Sequence, residues 1–139
     1  MTSFPGVMSR AAEAIKRQAV SLRPYQQKIE DGVLAHWAAG AANVLAVTAT
    51  GGGKTRIFCS ILSKHQGAAV AIAHRQELVA QISLTLNSFG IRHRLICPQN
   101  VLKMVIGRHL KEHGVTFYDP QGMIGVGGVD TLITVSYTH

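Results

Sequence analysis

Apolar residues fall into two kinds of run along this chain. Val44-Leu45-Ala46-Val47 and Ala68 to Ala73 are short, unbroken apolar blocks of the kind expected for strands buried on both faces. Elsewhere apolar residues recur three or four apart. Leu78, Ile82, Leu86 and Phe89 share one face of a helix predicted over 74–89, which Gly90 ends. A helix opening at Lys54 is expected to run to about His65, where Gln66-Gly67 breaks it. Pro24 suits the first turn of a helix over 24–39 closed by Gly40. Ile91 to Cys97 is a candidate third strand. Asn100 to His113 reads as a helix with Asn100 as its cap, and Tyr118 to Gly122 as a turn. Met123 to Val129 is glycine-rich but strand-like. Residues 1–9 look like a frayed leader. The run Arg10 to Val20 carries Ala11, Ile15 and Ala19 at near-helical spacing. The division is therefore a leader and helix over 1–20 and one domain over 21–139. Strand and helix alternating at this pitch predict an α/β fold, a parallel sheet with helices on both faces.

The length of 139 residues fits one such domain, and 47% hydrophobic against 15% charged residues excludes a disordered chain. Cys59 and Cys97 form no CxxC pair, and no His cluster has zinc spacing, which argues against a disulfide framework or a structural zinc site. No signal-peptide core and no apolar run of spanning length is present, so the chain is expected to be soluble and cytoplasmic. Fourteen Lys and Arg against seven Asp and Glu give +7 and favour polyanionic partners, nucleic acid or nucleotide phosphate, without bearing on fold.

Candidate chemistry concentrates between the first predicted strand and its helix. Thr48-Ala49-Thr50-Gly51-Gly52-Gly53-Lys54-Thr55 places glycines before Lys-Thr at a helix start. Glycines let backbone N–H groups converge on phosphate oxygens, and the helix N-terminus adds its positive dipole. Lys54 would then reach the β- and γ-phosphates, and the Thr55 hydroxyl would hold Mg²⁺. The pattern G-x-x-x-x-G-K-[ST] is incomplete, because Thr48 stands where its first glycine belongs. The plainer alternative is a flexible loop with a solvated lysine.

The stretch Ala49 to Thr55 resembles the first motif of superfamily 2 helicases, A-x-T-G-x-G-K-T, in which a threonine at position 48 is ordinary. Leu22-Arg23-Pro24-Tyr25-Gln26 resembles the L-R-x-Y-Q element of that family, whose glutamine reads adenine. Ala73-His74-Arg75-Gln76-Glu77-Leu78 resembles its next, nucleic-acid-contacting motif. The likeness covers about residues 20–97, in the family's order and spacing, and is nearest to helicase subunits of restriction systems and phage relatives. It implies a RecA-like P-loop NTPase lobe that binds ATP and Mg²⁺ through Gln26, Thr50, Gly51, Gly52, Gly53, Lys54 and Thr55, with Lys54 acting on the reacting phosphate. It also implies a nucleic-acid partner, DNA ahead of RNA, met by Arg75. Gln26 alone would read as a surface residue; its place ahead of a phosphate loop is what favours the base. For Arg75 the alternative is a solvated charge or a partner for Glu77, and His74 reads as a satisfied histidine rather than a catalyst. Gly127 to Leu132 resembles the family's S-V-Q-T-L segment, but Gly128 and Asp130 replace serine and glutamine, leaving Thr131 as the candidate contact.

Hydrolysis in this family needs the acidic motif D-E-x-[HD], and the chain has none. The second lobe is missing as well. The expectation is a lobe cut before its acidic strand, inactive alone and an ATP-dependent helicase in its intact parent. The alternative is a natural short module that binds nucleotide or nucleic acid without turnover. A third reading, a small phosphate-loop kinase, is disfavoured by the Gln26 and Arg75 motifs.

Overall fold

The computed structural model describes residues 22–46 and 53–129. The helix expected over 10–20, the loop residues Thr50, Gly51 and Gly52, and Thr131 lie outside the described residues.

Among the described residues four helices and three strands follow in order. Helix α1 (Pro24–Ala38) has Pro24 at its first position, where the missing N–H costs nothing, and gives way at Gly40 with φ 101°. Helix α2 (Lys54–Lys64) opens after Gly53. Strand β1 (Ala69–Ala73) leads to α3 (Gln76–Ser88), then β2 (Arg94–Ile96), α4 (Gln99–His113) and β3 (Ile124–Gly128). The strands form a parallel sheet in the order β1-β3-β2, so the last strand lies between the other two. Ala71 and Leu95 both face Val126 in the register, and all five residues of β3 are buried.

Period-two alternation decides which face packs. Ala71, Ala73, Leu95, Ile124 and Val126 meet Val79, Ile82 and Leu86 of α3, Cys59 of α2 and Val105 of α4 in one core. Val79, Leu86, Val105 and Val126 have no exposed surface, and burying each side chain contributes about 1.5–3 kcal/mol. The opposite face holds Val70 and Ile72, 46% and 60% exposed among the described residues.

Two local expectations are corrected. Among the described residues Val44 to Ala46 pair with no strand and Leu45 is 89% exposed, so the first expected strand is absent there; its last residue, Val47, lies outside the described residues. Apolar content alone raised that expectation; without a ladder partner it does not make a strand. Asn100 does not cap α4. The N-cap is Pro98, whose extended φ of −59° and ψ of 153° start the helix one residue earlier than Asn100.

Candidate functional site

Helix α1 buries one stripe, Gln26, Glu30 and Val33, at i, i+4 and i+7, and that stripe lies against α2. Gln26 is 4% exposed. Its Oε1 accepts the Arg23 backbone N–H at 2.9 Å, which ties the amide to the start of its own helix. Its Nε2 lies against Gly53: a Cβ on that glycine would collide with it. Gly53 adopts φ 74°, a left-handed conformation that side chains resist. The glycine thus serves both the turn and the glutamine.

From Gly53 the chain enters α2 with no capping side chain and no acid in the first turn. Lys54 is exposed, and the half-buried Thr55 follows it. Lysine, hydroxyl and helix-start amides at one point are the donors a Mg²⁺-triphosphate requires, and the glutamine amide lies beside them. The structure therefore brings together Gln26, Gly53, Lys54 and Thr55. Arg56 is directed elsewhere, with its guanidinium 5.2 Å from the ring centre of Phe89. Among the described residues no group of three His, Cys, Asp or Glu can hold a metal by itself.

Arg75 sits at the N-cap of α3, just past the carboxyl end of β1, and is exposed, as is His74. That is the sheet edge where α/β folds bind ligands. Ala73 pairs with Gly128, and a Cβ on Gly128 would come within 3.7 Å of Gln76 Nε2. The two segments that resemble nucleic-acid contacts therefore meet at one edge.

Two buried polar groups were not evident from the sequence. Glu30, fully buried, accepts Ser60 Oγ at 2.5 Å, Lys64 Nζ at 2.6 Å and Gln27 Nε2 at 2.8 Å. Burial raises its pKa, but hydrogen bonds from Lys64, Ser60 and Gln27 and the Lys64 charge outweigh it, holding the carboxyl below its usual value. An i, i+4 relation to Gln26 is the one sequence signal that could have marked it. The second is a chain of bonds through Ser83, His93 and His109, all with no exposed surface. His93 Nδ1 donates to the Ile91 carbonyl at 2.8 Å, so its Nε2 accepts the Ser83 hydroxyl at 2.7 Å. Ser83 Oγ then accepts His109 Nε2–H at 2.9 Å, and His109 Nδ1 accepts Thr116 Oγ1–H at 2.8 Å. Burial lowers the His93 pKa against the Ile91 bond. Burial, with the charges of His93 and His113, brings His109 down to about 4. His93 belongs to this network rather than to a basic surface with its exposed neighbours Arg92 and Arg94.

A parallel α/β sheet, with a glycine turn opening a helix at Lys-Thr beside a buried glutamine, is that of a lobe of the RecA-like phosphate-loop class. The sequence pattern of the type III restriction enzyme res subunit matches residues 19–121, and the chain belongs to that family. The lobe is of the kind that binds ATP in superfamily 2 helicases. No curated protein matches the chain. Among the described residues no helix is long and apolar enough to cross a membrane.

Proposed function

We propose that this chain binds MgATP as the first lobe of an ATP-dependent DNA translocase or helicase. The observation that carries the reading is the Gln26 amide packed on Gly53, one residue before Lys54 and Thr55. In this reading Gln26 meets adenine, and Thr50, Gly51, Gly52 and Gly53 offer backbone N–H groups to the phosphates. Lys54 binds the β- and γ-phosphate oxygens, and Thr55 Oγ1 joins the Mg²⁺ shell. Magnesium supplies charge neutralisation at the phosphates when bound. Arg75, at the carboxyl edge of the sheet, and Thr131 contact the nucleic-acid backbone. DNA is favoured over RNA by the restriction-enzyme family, and a second lobe would close on the nucleotide in the intact protein. The two free thiols suit a reducing cytoplasm.

Thermal unfolding with and without MgATP tests the reading. At about 100 Kd of nucleotide the linkage is about 2.7 kcal/mol, or about 10 °C for a chain of this size. Lys54→Ala is expected to remove that shift. A shift that survives the substitution contradicts the phosphate-loop assignment.

A further inference from the structure

Glu30 lies one turn beyond Gln26 on the stripe that α1 buries, and three partners converge on its carboxylate. Ser60 and Lys64 come from α2, and Gln27 from α1 itself. The same two helices bring Gln26 onto Gly53 at their N-terminal ends. Lys64 is half-exposed while Glu30 is sealed, so the carboxylate, rather than the ion pair's surface end, is the fixed point of the contact. A carboxylate without these partners would be a buried, uncompensated charge, so losing them is costly. The apolar contribution to the stripe is a single residue, Val33. The fully buried stripe is therefore mainly polar, with Ile29 and Leu34 half-buried beside it.

We propose that Glu30 is a positioning residue for base recognition: by bridging Ser60 and Lys64 it holds the Gln26-bearing helix in register with the phosphate-loop helix. The proposal rests on the nucleotide-site reading above. It assigns Glu30 no contact with the nucleotide. The consequence is selective, since Lys54 and Thr55 ride on α2 and do not depend on where α1 sits.

The test measures ATP, GTP and tripolyphosphate binding, each with Mg²⁺, to the full chain by calorimetry. Tripolyphosphate reports the phosphate turn alone, and the ATP-to-GTP ratio reports the glutamine. In Glu30→Gln, which keeps the shape and loses the charge, tripolyphosphate affinity is expected to stay within about twofold. ATP affinity is expected to fall about tenfold and the preference over GTP to vanish, the loss of one good base contact. Lys64→Met, which removes an exposed partner, is expected to give a smaller loss of the same kind. It carries the test if Glu30→Gln does not fold. In a Gln26→Ala background, Glu30→Gln should cost nothing more, a coupling that a purely structural role does not produce. An unchanged ATP-to-GTP ratio in the folded variants overturns the proposal, and so does an equal loss of ATP and tripolyphosphate. Absence of tripolyphosphate and ATP binding in the unsubstituted chain instead refutes the nucleotide site itself, and the positioning role falls with it.

Discussion

Gly53→Ala probes the point on which the site depends. Two costs are separable there. Gly53 has φ 74°, where an L-residue loses about 1–2 kcal/mol. The added Cβ would also overlap Gln26 Nε2, with Gln26 Cδ at 3.5 Å and the Tyr25 hydroxyl at 4.0 Å. Relief requires the amide to swing out, breaking its bond with the Arg23 N–H, a further loss of about 1 kcal/mol. The sum of about 2–3 kcal/mol lowers Tm by about 10 °C in a chain of this size. Gly114 supplies the control. It has φ 73°, and a Cβ there would have nothing within 4 Å, so Gly114→Ala should show the backbone cost alone. Urea unfolding of both variants, and of Gly53→Ala combined with Gln26→Ala, measures the difference. The Gln26 truncation should recover the collision part, making the pair less than additive. Equal costs for the two glycines, or strict additivity, would refute the packing of Gln26 on the turn.

Other expectations follow from the same structure. His93 and His109 are neutral when folded and titrate near the ordinary 6.5 when unfolded, so the unfolded chain takes up protons first as pH falls. Stability should be level above about pH 6.5 and decline toward about pH 4, by about 3 kcal/mol from His109. A urea midpoint that stays constant from pH 7.5 to 4.5 contradicts the buried network. Glu30, held below its usual value, adds a further loss only as pH drops below 4.5. Burial pushes the Cys59 thiol up to about 12 and raises the half-buried Cys97 as well. A thiol reagent at pH 8 should therefore label Cys97 slowly and Cys59 only after unfolding; equal labelling of the native protein would contradict the packing of Cys59. Arg75→Ala should weaken single-stranded DNA binding and reduce its log–log salt slope by about 0.7. An unchanged slope removes Arg75 from the interface.

Elements governed by local signals were legible in the sequence. Helix α1 ends within a residue of expectation because Pro24 and Gly40 punctuate it. The strands at Ala69–Ala73 and Ile124–Gly128 match their apolar blocks, and Ile82, Leu86 and Phe89 of the expected apolar face are buried, whereas Leu78 is 43% exposed and Val79 takes its place in the core. The nearness of Gln26 to the turn before Lys54 and Thr55 was implied by the resemblance to the helicase motifs rather than by any local pattern, and the structure packs the Gln26 amide against Gly53. What stayed hidden depends on partners far along the chain. Glu30 looks like any helical acid until Ser60 and Lys64, 30 and 34 residues on, close over it. His93 sits between two exposed arginines, and nothing local says that Ser83 and His109 bury it. Val44 to Ala46 fail for the converse reason: an apolar run becomes a strand only when a neighbour accepts its hydrogen bonds.

The most direct test of the account is a map of backbone and side-chain amide resonances during titration with MgATP. Saturable shifts are expected at Gly53, Lys54 and Thr55 and at the side-chain amide of Gln26, with the Ser83–His93–His109 region unmoved. Saturation without any change at Gln26 and Gly53, or no response at millimolar nucleotide, would contradict it.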